Sequence, residues 1–332
     1  MSRAARALVP VLTAILALGL PSAAAPQDQP EPIMTQRPAP TAPGELTFDS
    51  APDLFPSAET KLVNGSTKVD LDAWQSLFIA RLPSGGFCTA TLVGPRVLLT
   101  AAHCVDAYKA DKAATVGGRI NIAGSQYRLS GCAMHPAYIA ADRVAYDVPR
   151  ASEDFALCEL DGEPGITTET IATTPMLGTN SQMLLTGYGC TGIRVAAGML
   201  VFDATDAPGA EKLRMGDARV DAVGVRNHRS DAGAYIRTRS VQDEPVLCPG
   251  DSGGPAIAGA SLAQQKGPLR RVIGVNSMVT ALPRGVGYEY LSFVASLGTE
   301  AFRDFLQDWT AGSANRDVCG YQLSPGQAGC RP

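Results

Sequence analysis

Residues Cys248–Ile257 read CPGDSGGPAI. This stretch sets a small nucleophile, Ser252, directly after an acid, Asp251, and before two glycines, with Gly250 and a cysteine upstream. Asp-Ser-Gly clusters are ordinary turn chemistry, so by itself the stretch fits a loop as well as a site. Serine's hydroxyl is a poor nucleophile unassisted; it needs a base to take its proton and an acid to orient that base. Three histidines occur. His103 ends the strand-like run LLTAAHCV just before Cys104, whereas His135 in MHPAY and His228 in RNHRS stand in turn contexts and are given no role. Asp154 opens an apolar run within SEDFALCEL. Singly, His103 reads as a hydrogen-bonded core residue and Asp154 as a strand-edge residue. In the order His103, Asp154, Ser252 they supply the base, the acid and the hydroxyl of nucleophilic catalysis. The glycines then have a purpose, because they let the N–H groups of Gly250 and Ser252 converge on a developing oxyanion unobstructed by side chains.

Working outward, short runs rich in Val, Ile, Leu, Thr and Tyr recur beyond Lys61: SLFIARL, CTATLVG, RVLLTAA, RINIAG, FALCEL, MLLTGYG, KLRMGDARVDAV, AYIRTR, RVIGVNS and YEYLSFV. Gly, Pro, Asn and Asp clusters separate them, which predicts an antiparallel all-β domain in sandwich or barrel form. One stretch is helical. In GTEAFRDFLQDWTAG the apolar Phe302, Phe305, Leu306 and Trp309 recur at i, i+3, i+4 and i+7, and Gly312 follows as a stop signal. Residues 26–57, rich in proline and poor in periodic apolar positions, are expected not to order themselves and to form a pro-segment or linker reaching to Lys61.

Residues 1–25 combine Arg3 and Arg6, an apolar run to Leu20 and a closing Ala23-Ala24-Ala25. That order predicts a cleaved secretory signal; the competing reading, a membrane anchor, meets a run shorter than the ~20 apolar residues a bilayer crossing needs. Loss of the two arginines takes the formal net charge from -4 to -6, so nucleic acid is not an expected partner. The eight cysteines are even in number and lack Cys-x-x-Cys pairs, which in an exported chain predicts disulfides and no metal. The expected location is outside the cytoplasm, secreted or periplasmic, with no cofactor and no membrane association after signal removal.

With TAAHC around His103, DFAL from Asp154, GYG at Gly187–Gly189, GDSGGP at Gly250–Pro255 and GVNS ending at Ser277, the chain resembles the trypsin/chymotrypsin family of serine peptidases over roughly residues 62–311. The resemblance implies a double six-stranded antiparallel β-barrel with a C-terminal helix, a peptidase domain over 62–312 and a disulfide-closed tail over 313–332. It places His103 and Asp154 in the first barrel and Ser252 in the second, with Ser277 supporting Asp154 by a hydrogen bond. KLVNG resembles the family's activation site, so that cutting after Lys61 by an activating protease would free the Leu62 α-amino group to pair with Asp251. The alternative is an exposed Asn-Gly turn, and Asn64-Gly65 stands where the family has Gly-Gly. Cys88 with Cys104 matches the family's most widespread bridge. Cys248 matches a family cysteine whose usual partner is missing, and Cys190, beside GYG, is the substitute; Cys132 with Cys158 and Cys319 with Cys330 complete the set. In the primary specificity pocket the resemblance places Val246 at the base, then Leu247, with Val279 narrowing the wall. An apolar base cannot counter a buried cation, so small aliphatic residues before the scissile bond are expected over Lys or Arg.

The reading is therefore a secreted endopeptidase acting on peptides or proteins. Two rivals come from other classes. A binding or regulatory protein on the same fold is one, since a fold does not guarantee activity. An esterase is the other: GDSGG formally contains Gly-x-Ser-x-Gly, but the order His103, Asp154, Ser252 and the lack of alternating helices argue against that fold.

Overall fold

A computed structural model describes residues 46–50, 69–81, 86–106, 118–122, 124–140, 151–203, 212–226, 233–241 and 244–332. Lys61, Leu62, His228 and the expected signal segment lie outside the described residues. Strands β1 (Leu46–Ser50), β2 (Leu77–Arg81), β3 (Phe87–Gly94), β4 (Val97–Thr100), β5 (Gly118–Ile122), β6 (Ser125–Met134) and β7 (Ala156–Leu160) close into a first barrel in the order β1-β2-β3-β4-β7-β6-β5. Two short helices interrupt them, α1 (Ala102–Asp106) and α2 (Pro136–Ala140). The second barrel is formed by β8 (Gln182–Gly187), β11 (Arg214–Val225), β12 (Tyr235–Ser240), β13 (Pro255–Ala258), β14 (Arg271–Arg284) and β15 (Gly287–Ser296), closed as β11-β12-β15-β14-β13-β8. Between β8 and β11 a separate hairpin pairs β9 (Ile193–Ala196) with β10 (Met199–Phe202).

The double barrel is the architecture the sequence implied, with one correction. Among the described residues the first barrel has seven strands, because β1 comes from the segment expected to stay unordered. It runs antiparallel to β2 (Thr47 opposite Arg81) and parallel to β5 (Thr47 opposite Arg119). Low apolar content says little about a strand whose main-chain groups find a ladder on both sides. The sequence LTFDS, between Pro43 and Pro52, is also locally free of proline and glycine.

Helix α3 (Glu300–Ala311) forms where the periodicity predicts. Thr299 caps it, its side chain accepting from Phe302 N–H at 3.2 Å, and Phe302, Phe305, Leu306 and Trp309 are buried. Gly312 ends it in a right-handed conformation; a Cβ there would lie 2.6 Å from the Arg316 guanidinium. The buried face packs on Phe155, whose ring meets Phe302 edge-on at 4.9 Å. The disulfides join Cys88 to Cys104, Cys132 to Cys158, Cys190 to Cys248 and Cys319 to Cys330.

The inter-barrel connection carries Glu169, which is fully buried. It accepts from Ser76 Oγ (2.6 Å) and Arg270 Nε (2.9 Å) and pairs with Arg331 of the tail (3.4 Å). Arg270 in turn stacks over Trp74 at 3.8 Å. Both barrels and the tail thus meet on one carboxylate.

Candidate active site

Strand β4 ends at Thr100, and His103 follows in the first turn of α1. Asp154 enters from the segment just before β7 and is fully buried. Its Oδ1 accepts the His103 backbone N–H at 2.9 Å and its Oδ2 lies 2.7 Å from His103 Nδ1. Two contacts to one carboxylate fix both the position of the histidine backbone and the plane of its ring. With Nδ1 turned to the carboxylate, the ring directs Nε2 away from Asp154. From the second barrel, Ser277 on β14 donates its hydroxyl to Asp154 Oδ2 at 2.6 Å, and the Tyr235 hydroxyl lies 3.3 Å from Ser277 Oγ. His103, Asp154 and Ser277 are therefore one hydrogen-bonded chain spanning the two barrels.

The loop of Ser252 is welded to the same place. Ser252 itself is half-buried. Its carbonyl accepts from Thr89 N–H at 2.7 Å, and the Gly250 carbonyl accepts from Thr89 Oγ1 at 2.8 Å. Gly253 donates to the Asn276 carbonyl at 2.8 Å, one residue from Ser277. Glycine is required here for space as well as conformation. Gly253 has φ +82°, and a Cβ would fall 2.2 Å from Thr89 O and 3.1 Å from Ala101 N, two residues before His103. At Gly250, φ +102°, a Cβ would meet the Phe87 ring.

Asp251 is fully buried beneath this loop. Its Oδ1 accepts from Gly189 N–H (2.7 Å) and its Oδ2 from Cys248 N–H (2.9 Å). Burial pushes its carboxyl up to about 7, against the two N–H groups and the positive charge of Arg214. Arg214, at the start of β11, is itself 1% exposed and donates to the Gly189 carbonyl at 2.6 Å.

Of the expected pocket residues, Val246 is fully buried in an apolar cluster with Cys190 and Cys248, against which Ile193, Phe202, Val279 and Tyr290 pack. The Tyr290 hydroxyl donates to the Ile193 carbonyl at 3.4 Å, tying the β9–β10 hairpin to β15. Leu247 turns instead into the core of the second barrel, with its N–H donating to Ser292 Oγ at 3.0 Å.

Sequence reading missed Arg214, Tyr235, Phe202 and Tyr290. The signal for Arg214 was an arginine within the run KLRMG, where a strand's apolar neighbours leave it no route to solvent. One group of metal-type donors lies close together among the described residues, Cys88, His103 and Cys104. Both its sulfurs are committed to a disulfide, so it lacks the thiolates a metal would need. Among the described residues no helix is long and apolar enough to cross a membrane.

Compared with known families, residues 63–294 match the model described as Trypsin. Comparison with curated proteins returned no match. Among solved structures, a Glu endopeptidase in complex with MPD aligns with a TM-score of 0.47 and 18% sequence identity, covering 74% of this chain and 97% of that one.

Proposed function

Since the chain belongs to the trypsin family of serine peptidases, we propose that it is an exported serine endopeptidase with Ser252 as nucleophile, His103 as general base and then acid, and Asp154 as the orienting acid. The observation that carries this reading is the double hydrogen bond from His103 to buried Asp154, which directs Nε2 away from Asp154. Nε2 takes the Ser252 hydroxyl proton as Oγ attacks the scissile carbonyl. The N–H groups of Gly250 and Ser252 hold the resulting oxyanion. The imidazolium then protonates the departing amine, leaving an acyl-enzyme, and water repeats the sequence in reverse to release the acid and restore Ser252.

Export rests on the N-terminal signal pattern and fits the four disulfides. Cleavage after Lys61 would separate the proline-rich segment from the peptidase domain. For specificity, the uncharged apolar cluster of Val246, Cys190 and Cys248, with Ile193, Phe202, Val279 and Tyr290 packed against it, offers no countercharge for a cation and supports a preference for small aliphatic residues. Cleavage of a diverse peptide library should show cutting after residues such as Ala or Val; dominant cutting after Lys, Arg or an acidic residue would reject that part of the reading. The chemistry itself is tested by fluorophosphonate labelling with mapping of the modified residue. Label on Ser252, with Ser252→Ala folded but several orders of magnitude slower, is the expected result. Near-normal turnover by Ser252→Ala would sink it.

A further inference from the structure

An oxyanion donor is only as well placed as its own peptide plane. In a trans peptide the N–H and the carbonyl point opposite ways, so holding one aims the other. Both proposed donors are braced in this manner. The carbonyl that shares a plane with the Gly250 N–H is that of Pro249, which accepts from Cys190 N–H at 3.2 Å. The carbonyl that shares a plane with the Ser252 N–H is that of Asp251, which accepts from Gly254 N–H at 2.9 Å and from Asn276 Nδ2 at 3.3 Å. Between these two planes lies the Gly250–Asp251 peptide. Its N–H donates within the loop to the Cys248 carbonyl at 2.9 Å, and its carbonyl, that of Gly250, accepts from Thr89 Oγ1 at 2.8 Å. The other braces come from the second barrel and its loops, whereas Thr89 belongs to β3 of the first.

Thr89 is fully buried, and each of its polar groups is engaged at this junction. Its hydroxyl also accepts from Tyr188 N–H at 3.2 Å, its N–H donates to the Ser252 carbonyl at 2.7 Å, and its carbonyl accepts from Thr100 Oγ1 at 2.9 Å. Thr100 ends β4 three residues before His103, and Cys88, the residue before Thr89, is bridged to Cys104, the residue after His103. One threonine is thus anchored beside the base and holds the nucleophile loop. We propose that Thr89 is a positioning residue for the reaction, its hydroxyl fixing the Gly250 carbonyl so that the oxyanion donors and Ser252 stay in register with His103. This rests on the peptidase reading above and deepens it.

The hydroxyl can be separated from the rest of this arrangement. The main-chain contacts of Thr89 to Ser252 and Thr100 are open to any residue at this position. Donation to the Gly250 carbonyl and acceptance from Tyr188 N–H together need a hydroxyl, and a methyl in its place takes that partner from both buried groups. Gly250 has no side chain to restrain its φ of +102°, so with its carbonyl released the restraint on its N–H passes to the 3.2 Å contact from Cys190. Misplacing a group at the reacting centre by about 1 Å costs on the order of 100-fold in rate, and loosening it costs less.

The test uses the protein in whichever form, full-length or cut after Lys61, reacts faster with a fluorophosphonate, whose phosphoryl oxygen takes the place of the oxyanion. In that form Thr89→Val, which keeps the branched shape and loses the hydroxyl, should label Ser252 about 20-fold more slowly, short of the loss of about 100-fold or more on deleting a donor outright. On a peptide substrate kcat should fall in the same ratio, with KM within about twofold of wild type. Thr89→Ser, which keeps the hydroxyl and loses a buried methyl, should unfold at lower temperature yet label within about fivefold of wild type, a split between stability and rate that a purely structural threonine would not produce. Slowing of Thr89→Val by less than about fivefold would overturn the inference, as would a Thr89→Ser as slow as Thr89→Val. If Thr89→Val does not fold, Thr89→Ala and Thr89→Ser, which differ by the hydroxyl alone, are compared by the same measure. Absence of labelling in every form, wild type included, would instead bring down the peptidase reading, and this inference with it.

Discussion

Ser277 delivers its hydroxyl to the same Asp154 oxygen that faces His103 Nδ1. Removing it takes one donor from a buried carboxylate and leaves both His103 contacts, so the ring keeps its place while its partner is less well held. Ser277→Ala should lower kcat by about tenfold with little change in KM, the ~1.4 kcal/mol effect of a single hydrogen bond to a charged group. Steady-state kinetics on a peptide ester checks it, and unchanged kcat would show the bond to be idle. Asp251 gives a second expectation at this scale. Its carboxyl is raised by burial from 3.8 in the free group to about 7 in the fold. The folded state therefore binds its proton more tightly than the unfolded chain does. The resulting stabilisation is full below pH ~3.8 and is lost as pH rises through about 7, in total about 4 kcal/mol by linkage. The stability difference between wild type and Asp251→Asn, followed by thermal unfolding from pH 4 to 8, should drift in favour of the asparagine variant as pH rises. A flat difference would contradict it.

Among the elements, α3 was legible and its duty was not. The i, i+3, i+4, i+7 pattern located the buried face, but only the packed chain shows that this face closes on Phe155, the residue after Asp154. Phe302→Ala should remove the edge-on partner of Phe155 and cost about 3 to 5 kcal/mol, read as a lower urea midpoint at unchanged slope. A loss under ~1 kcal/mol would mean that the helix re-packs. Strand β6 shows the opposite case. SQYRLSGCAM is polar and small-residued, with burial that hardly alternates, so no period-2 signal exists to be read. It is a strand because β5 and β7 offer it ladders on both sides.

For the whole molecule the decisive joint is Glu169. Glu169→Gln would leave Arg270, fully buried, and Arg331 facing an uncharged amide. Removing one partner of a buried pair typically costs 3 to 5 kcal/mol, about enough to endanger the fold. Chemical denaturation of the variant should show a loss of that size, and because the His103–Asp154–Ser277 hydrogen-bonded chain spans both barrels, the proposed activity should fall at denaturant concentrations where wild type is still intact. A variant as stable as wild type would mean that Ser76, Trp74 and the main chain suffice to hold the joint.

The sequence by itself determined what depends on residue type at short range: the strand-rich class, the terminal helix, and the order in which the residues of the proposed triad, His103, Asp154 and Ser252, occur. Motif resemblance added the serine that reaches Asp154, since Ser277 stands at a recognisable position in GVNS. What it left open are the relations between distant segments. Arg214 and Asp251 lie on different elements and meet at Gly189; β1 is ordered by its neighbours and not by its own composition; Leu247 turns into the core while Val246, one residue earlier, joins the apolar cluster beside the Cys190–Cys248 bridge. Each is decided by main-chain ladders and burial, which compensate a local sequence for what it lacks and depend on which partner the closed barrel brings alongside.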